Sequence, residues 1–244
     1  MKNKENAILE AVNLEDVKLK LYEKLKPSGW GDKLRTFILS SDFDNILNAL
    51  LKDAKNGQRF TPQLKQIFRA FEMCYYNKLS IIMIGQDPYP QKDVADGIAF
   101  SCSNTSKVEA SLRYILKEVE DTVYPEGGYR WDPDLKRWSS QGILLINSAL
   151  TTTITKPGTH YAIWKPFMTF LLDMLNFSNP GLIYVFLGKK ASEWATSVSD
   201  NNYKFVVTHP ASAAYLHMDK WDSKDLFNSI NKILYKNNGQ KIIW

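Results

Sequence analysis

Apolar residues in the first part of the chain recur at helical spacing. Between about residues 13 and 70 they include Leu34, Ile38, Ile46 and Leu50, which are separated by four or eight positions. We therefore expect several helices that pack together over this segment.

After residue 70 the pattern changes to short apolar runs separated by helical segments. Four runs have the length of a strand and span residues 79–84, 143–146, 182–187 and 205–207. Helical periodicity returns at residues 110–119, 164–175 and 223–234. This alternation predicts an α/β fold in which helices flank a central, mostly parallel four-stranded sheet.

Each of the four runs ends in a compact polar or Gly/Pro motif. Right-handed crossovers place the carboxyl ends of parallel strands along one edge, which is where such sheets bind ligands. We therefore expect the motifs to meet in an active site at that edge. They begin at Gly85, Asn147, Gly188 and Thr208.

The composition is that of an ordinary globular chain. The 244 residues are 44% hydrophobic and 23% charged, and no repeat, low-complexity tract or long linker divides them, so we predict one domain. No signal-peptide pattern and no run of about 18 apolar residues occurs, which favours a cytoplasmic protein without a membrane anchor. Cys74 and Cys102 form no CxxC pair, and we expect two buried thiols.

The net charge of +5 and the pI near 9.0 are compatible with a polyanionic partner. Many proteins with no such partner share these values. Only six of the 31 basic residues are arginine, so widespread bidentate reading of guanine edges is excluded. If the partner is DNA, contact with its backbone is favoured over sequence reading.

The first motif, residues 85–90, reads GQDPYP. It places a glutamine, an aspartate and a tyrosine directly after a buried strand and stiffens them with Pro88 and Pro90. Taken alone, the motif fits a tight turn as well as a functional site.

Four motifs together resemble uracil-DNA glycosylases. Residues 86–90 resemble the water-activating loop of that family, and residues 95–101 (ADGIAFS) follow at the family's spacing. Residues 144–151 (LLINSALT) resemble its uracil-reading strand, and residues 209–212 (HPAS) its minor-groove loop. The resemblance extends over residues 57–244; the preceding residues 1–56, which we expect to be a helical part of the same domain, match it least.

The resemblance implies an enzyme that flips uracil out of DNA and hydrolyses its N-glycosidic bond, the first step of base excision repair. It implies neither a metal nor an organic cofactor. Asp87 would hold the water that attacks C1′ and would oppose the positive charge that grows on the sugar. His209, as a neutral imidazole, would donate a hydrogen bond to uracil O2. A cap of a turn or helix is the alternative for Asp87.

The same resemblance implies a base pocket made of Gln86, Tyr89, Phe100 and Asn147. The Asn147 amide can accept from uracil N3–H and donate to O4, a pattern that cytosine does not match. Phe100 would stack on the base, Tyr89 would stand where the methyl group of thymine would lie, and Gln86 would complete the pocket. A strand-end turn for Asn147 and a core position for Phe100 are the alternatives.

The resemblance also implies a set of residues that contact DNA. Those that match phosphate-binding loops of the family are Pro88, Ser111, Gly188, Lys189 and Ser212. The other two histidines have no such role: we expect a structural hydrogen bond for His160 and a surface position for His217.

The loop that should insert an apolar wedge into the base stack is unusual. Direct counting places the small Ala213 at the wedge position, whereas a loop shorter by one residue would offer Tyr215 or Leu216. The sequence does not decide between them.

Two other positions and one segment depart from the family pattern. Pro90 and Asp96 stand where the family often has histidine, and residues 103–110 lack the prolines expected in a loop that grips the DNA backbone.

Three other interpretations compete with the glycosylase. A DNA-holding accessory subunit of a polymerase is disfavoured by the presence of both Asp87 and Asn147. A pyrimidine deaminase is excluded because its HxE and PCxxC zinc signature is absent. A relative with another base preference is disfavoured by Tyr89 together with Asn147.

The expected partner is uracil-containing DNA, single- or double-stranded. A glycosylase inhibitor protein and a polymerase are the candidate protein partners. We expect a monomer that stays in the cytoplasm, or in the host-cell compartment that holds the DNA if the source is viral.

Overall fold

The computed structural model describes residues 13–105, 107–216 and 218–244. His217, which was expected at the surface, lies outside these ranges. The helices are α1 (Leu14–Leu25), α2 (Trp30–Ile38), α3 (Ser41–Lys55), α4 (Arg69–Met73), α5 (Ala110–Val123), α6 (Lys136–Ser139), α7 (Tyr161–Ser178), α8 (Lys189–Ser192), α9 (Pro210–Tyr215) and α10 (Leu226–Asn238). The strands are β1 (Phe60–Thr61), β2 (Ile81–Gly85), β3 (Ile143–Asn147), β4 (Thr152–Thr153), β5 (Ile183–Leu187) and β6 (Tyr203–Val207).

Side-chain caps start two of the N-terminal helices. The side-chain oxygen of Asn13 accepts hydrogen bonds from the backbone N–H groups of Glu15 (3.0 Å) and Asp16 (3.4 Å) at the start of α1. Ser40 Oγ accepts from the backbone N–H of Phe43 (3.3 Å) at the start of α3. Both helices carry acidic residues in the first turn, where the helix dipole favours negative charge. The helices expected after residue 13 are therefore present.

The four predicted strands form one parallel sheet in the order β3-β2-β5-β6, which confirms the predicted architecture. Every residue of β2, β3 and β5 is buried, which explains why these strands appear in the sequence as unbroken apolar runs. Strand β6 lies at an edge and is mostly exposed. It begins at Tyr203, two residues before the predicted run, because the exposed Tyr203 and Lys204 interrupt the apolar pattern.

The strand register aligns the carboxyl ends of the strands. Gly85 lies opposite Asn147 in the β2–β3 pair, and Leu187 lies opposite Val207 in the β5–β6 pair. The polar motif that follows each strand therefore starts at the same edge of the sheet.

A second, two-stranded antiparallel sheet was not predicted. Phe60 pairs with Thr153 and Thr61 with Thr152, and each strand is too short to produce a periodic pattern. The backbone N–H of Thr155 also donates to the carbonyl oxygen of Pro90 (2.8 Å). Together these contacts hold the segment after β4 against the first strand-end motif.

Two aromatic clusters occupy the core. In the first, α4 and α7 meet through Phe68, Phe71, Trp164 and Phe167, whose rings mostly pack edge to face at centroid distances of 5.6–6.0 Å. The second joins α6 and α10 to the last residue of the sequence through Trp138, Phe227 and Trp244.

Both cysteines are buried, as expected. Burial raises the pKa of the Cys74 thiol to about 12, so this side chain behaves as a small apolar group. Among the described residues, no helix combines the length and the apolar character needed to cross a membrane.

Candidate active site

A cleft of about 550 Å³ opens at the carboxyl edge of the sheet. Three of the four strand-end motifs contribute to its walls. This is the edge of the sheet at which the motifs were expected to meet. The lining residues include Gln86, Asp87, Tyr89, Asn147, His209 and Ser212. Gly188, from the remaining motif, lies directly beside His209: a Cβ atom at Gly188 would approach His209 Cβ to 2.8 Å.

At the deep end of the cleft, Gly85 has no side chain, and this leaves room for Asn147 and Phe100. A Cβ atom at Gly85 would overlap the side-chain oxygen of Asn147 and would lie 3.1 Å from the Phe100 ring. Asn147 is only 9% exposed as a residue, and it lines the cleft. Its amide can both accept and donate a hydrogen bond, so it can pair with a ligand there. Sequence reasoning gave Gly85 no role.

Two hydrogen bonds from one segment fix the Asp87 carboxylate. Oδ2 accepts from the backbone N–H of Gly158 at 2.6 Å, and Oδ1 accepts from the hydroxyl of Tyr161 at 3.2 Å. Burial raises the pKa of Asp87, and hydrogen bonds from Gly158, Tyr161 and Thr152 oppose that rise. Sequence reasoning missed Gly158 and Tyr161, because their contacts with Asp87 span more than 70 positions of the chain.

His209 is held as a neutral ring with a defined tautomer. The backbone N–H of Ala211 donates to Nδ1 at 3.1 Å, so Nδ1 carries the lone pair and Nε2 carries the proton. Burial lowers the pKa of His209 from 6.5 to about 4. The ring centroids of His209 and Phe100 are 5.7 Å apart, so an aromatic ring and a hydrogen-bond donor lie close together in the cleft.

Phe100 lies in the loop that follows the first strand-end motif. It is only 8% exposed and also belongs to the core cluster. Its φ angle is +66°, an uncommon conformation for a bulky residue. The Tyr89 hydroxyl donates to its carbonyl oxygen at 3.0 Å. This hydrogen bond fixes both aromatic side chains at the cleft.

The buried carboxylate of Asp96 braces the same loop. It accepts hydrogen bonds from the backbone N–H groups of Ile98 and Ser103 (both 3.0 Å) and from the Ser101 hydroxyl (2.6 Å). Arg69 forms an ion pair with it at 2.8 Å. These partners compensate for the burial of the carboxylate and connect the loop to α4.

His160 has the structural role expected of it. Its Nδ1 lies 2.7 Å from the Thr151 hydroxyl, and its Nε2 lies 3.2 Å from the Thr153 hydroxyl and 3.1 Å from a carboxylate oxygen of Asp53. Within the described ranges, no group of three or more His, Cys, Asp or Glu side chains is arranged to bind a metal ion.

The residues implied in phosphate contact lie around the cleft, but two of them are not in loops. Ser111 belongs to the first turn of α5, and Lys189, which is exposed, begins α8. Pro88 and Ser212 line the cleft, and the Ser212 hydroxyl donates to the carbonyl oxygen of His209 at 2.7 Å.

The wedge candidates differ sharply in exposure. Ala213 is buried, with 2% of its surface exposed, whereas Tyr215 is 84% and Leu216 is 69% exposed at the end of α9. The position found by direct counting therefore faces the core, and the two large side chains face outward.

Comparisons with known proteins identify the family of this chain. The family model of the uracil DNA glycosylase superfamily matches residues 73–234. The uracil-DNA glycosylase of Mesomycoplasma hyopneumoniae is 31% identical over 204 residues, covering 83% of this chain and 90% of that protein. The uracil-DNA glycosylase of Mycoplasma pneumoniae is 32% identical over 224 residues, covering 89% of this chain and 92% of that protein.

The fold is similar to that of solved structures. The crystal structure of mimivirus uracil-DNA glycosylase has a TM-score of 0.79 at 23% identity, covering 96% of this chain and 89% of that chain. A variant of the mimivirus protein, solved in complex with the glycosylase inhibitor UGI, also has a TM-score of 0.79, at 23% identity, covering 96% of this chain and 91% of that chain.

We expect the His209 ring to stay neutral, with its proton on Nε2, until the pH falls to about 4. Long-range ¹H–¹⁵N NMR spectra should show Nδ1 as an unprotonated nitrogen throughout that range. Since the unfolded chain binds this proton at a higher pH than the folded chain, His209 contributes stability above pH 6.5 that is lost as the pH falls towards 4. A ring that titrates near 6.5 would contradict this assignment.

Proposed function

This chain belongs to the uracil-DNA glycosylase superfamily, and on that premise we propose how its residues carry out the reaction. The enzyme hydrolyses the N-glycosidic bond of uracil in DNA, which releases uracil and begins base excision repair. One observation carries the proposal: a hydrogen-bonded carboxylate and a buried imidazole with a lowered pKa line the same cleft.

Asp87 acts on the sugar side of the bond. As the C1′–N1 bond breaks, positive charge grows on the deoxyribose, and a carboxylate opposes it. Asp87 also accepts a hydrogen bond from the water that attacks C1′. The hydrogen bonds from Gly158 and Tyr161 support this role because they fix both carboxylate oxygens before substrate arrives.

His209 acts on the base side. The bonding electrons leave with uracil as an anion whose charge collects on O2, and the Nε2–H group of His209 donates a hydrogen bond there. A neutral donor suits this task, and the Ala211 N–H group that occupies Nδ1 keeps the proton on Nε2.

The pocket recognises uracil by shape and hydrogen bonding. The Asn147 amide pairs with N3–H and O4, so cytosine would leave buried polar groups without partners. Phe100 stacks on the base, and Gln86, which lines the cleft, completes the pocket. Tyr89 excludes the methyl group of thymine; its hydroxyl bond to the Phe100 carbonyl keeps it from moving aside.

Residues around the cleft bind the DNA backbone and do not read the base sequence. Ser111 lies in the first turn of α5, where the backbone N–H groups favour the binding of a phosphate. Gly188 and Lys189 offer a backbone N–H group and an exposed ammonium, and Pro88 and Ser212 support the strand beside the flipped nucleotide.

The wedge consists of Tyr215 and Leu216, and not of Ala213. The two exposed side chains adjoin a cleft that Tyr215 itself lines, so they can fill the gap that the flipped nucleotide leaves.

We propose that the enzyme acts as a monomer on single- and double-stranded DNA. We also propose that a glycosylase inhibitor protein competes for the DNA-binding face; the mimivirus protein of similar fold has been solved in complex with UGI. A polymerase partner is the rival proposal, and it requires DNA binding without uracil release.

Replacing Asp87 with Asn should lower uracil release by roughly 10³-fold, because the neutral amide cannot activate water or oppose the sugar's charge. Release of free uracil from a labelled oligonucleotide measures the loss, and fluorescence anisotropy measures DNA affinity, which should persist.

The matched control is Asp93→Asn, the same change at an exposed carboxylate six positions away, which should leave turnover unchanged. Full turnover by Asp87→Asn would remove Asp87 from catalysis. Wild-type protein that binds DNA but releases no uracil would favour the accessory-subunit role.

The wedge can be tested with Tyr215→Ala and Leu216→Ala. Each should lower kcat/KM on duplex DNA by about tenfold and affect single-stranded DNA much less, because only the duplex must be unstacked. Leu19→Ala, an exposed leucine in α1, serves as the control. Equal losses on both substrates would show that these residues do not act as a wedge.

A further inference from the structure

Within the described residues, the hydrogen bonds to the Asp87 carboxylate come from outside the first strand-end motif. Pro88 and Pro90 have no N–H group, and the Tyr89 hydroxyl donates to the Phe100 carbonyl oxygen. Asp87 instead accepts hydrogen bonds from the backbone N–H of Gly158, which lies between β4 and α7, and from the hydroxyl of Tyr161, the first residue of α7.

We propose that Tyr161 is a positioning residue for the reaction, whose hydroxyl holds the Asp87 carboxylate in the orientation that activates water. This inference rests on the proposed function of Asp87. The hydroxyl donates to Oδ1 and the Gly158 N–H group donates to Oδ2, so both carboxylate oxygens are held. A carboxylate has about four lone-pair sites, so Asp87 can also accept a hydrogen bond from the attacking water.

The Tyr161 hydroxyl is a donor and not a competing base. Burial, and after it the charge of Asp87, raises the pKa of Tyr161 far above its ordinary value, so the phenol keeps its proton at any working pH. Its only possible hydrogen bond to an ionised carboxylate is therefore a donated one.

The ring of Tyr161 is itself held on two sides. Gly158 has a φ angle of +80°, and a Cβ atom there would lie 3.1 Å from the ring, so glycine allows the N–H group and the hydroxyl to reach Asp87 together. On another side, the Lys190 ammonium lies 5.6 Å from the ring centroid and pairs with Glu193 at 2.9 Å. Lys190 follows Lys189, which we place at the DNA backbone.

Few charged groups surround Asp87. Tyr161 is the titratable group in direct contact with it, and Lys190 and Glu193 lie behind the tyrosine. Across the cleft are Glu109 and His209, of which His209 is neutral above about pH 4. The loss of the Tyr161 hydroxyl should therefore change the pKa of Asp87 in one direction, upward, because a hydrogen bond to the charged form is removed.

The first test is Tyr161→Phe, which removes only the hydroxyl. Single-turnover release of uracil should slow by about tenfold, the size of one hydrogen bond to a charged group, while KM stays nearly unchanged. The acid limb of the rate–pH profile should move to higher pH. Tyr76→Phe, which removes a hydroxyl bonded to Ser178 far from the cleft, should change neither quantity.

A double-mutant cycle separates positioning from a general structural role. In an Asp87→Ala background the carboxylate is absent, so adding Tyr161→Phe should not lower the residual rate further. An unchanged rate and acid limb in Tyr161→Phe alone, or an equal loss in both backgrounds, would overturn the proposal.

A measurement that does not depend on activity distinguishes the failure of the Tyr161 proposal from the failure of the proposed function. In ¹³C NMR titrations of the carboxyl groups, the pKa of Asp87 should be higher in Tyr161→Phe than in the wild-type protein. An upward shift in a protein that releases no uracil would support the contact and refute the function. Uracil release with no shift would support the function and refute the role of Tyr161.

Discussion

The close approach of β2 and β3 at Gly85 is the constraint on which the site depends. The parallel register sets Gly85 opposite Asn147, and the missing side chain leaves room for the Asn147 amide and the Phe100 ring at the end of the sheet. Both strands are buried along their whole length and pair with each other at five positions, which fixes this juxtaposition. The core thus fixes the dimensions of the pocket that we propose for uracil.

The proposed mechanism requires one charged and one neutral group within one cleft. In it the half-buried Asp87 has to be charged, and hydrogen bonds from Gly158, Tyr161 and Thr152 oppose the effect of burial on its pKa. His209 has to be neutral, and burial lowers its pKa to about 4. We propose that the carboxylate acts on the sugar side and the neutral donor on the base side, each on the charge that forms there.

Much of the fold could be predicted because it rests on local patterns. The buried runs that became β2, β3 and β5 and the motifs after them identify the sheet and its active edge. The sequence could not reveal what non-local packing decides: the β1–β4 pair, whose strands have two residues each, or the Tyr161 hydroxyl on Asp87. The sequence left Ala213, Tyr215 and Leu216 open as wedge candidates, because only the packing of α9 shows which of these side chains face the core.

The most direct test of this account measures free base released from matched oligonucleotides that contain one uracil, thymine or cytosine, by the wild-type protein and by Gly85→Ala. The account predicts that the wild-type protein releases uracil alone. It also predicts that Gly85→Ala binds DNA but releases almost no base, because the added methyl group occupies the space of Asn147 and Phe100. Release of thymine or cytosine by the wild-type protein, or undiminished uracil release by Gly85→Ala, would contradict it.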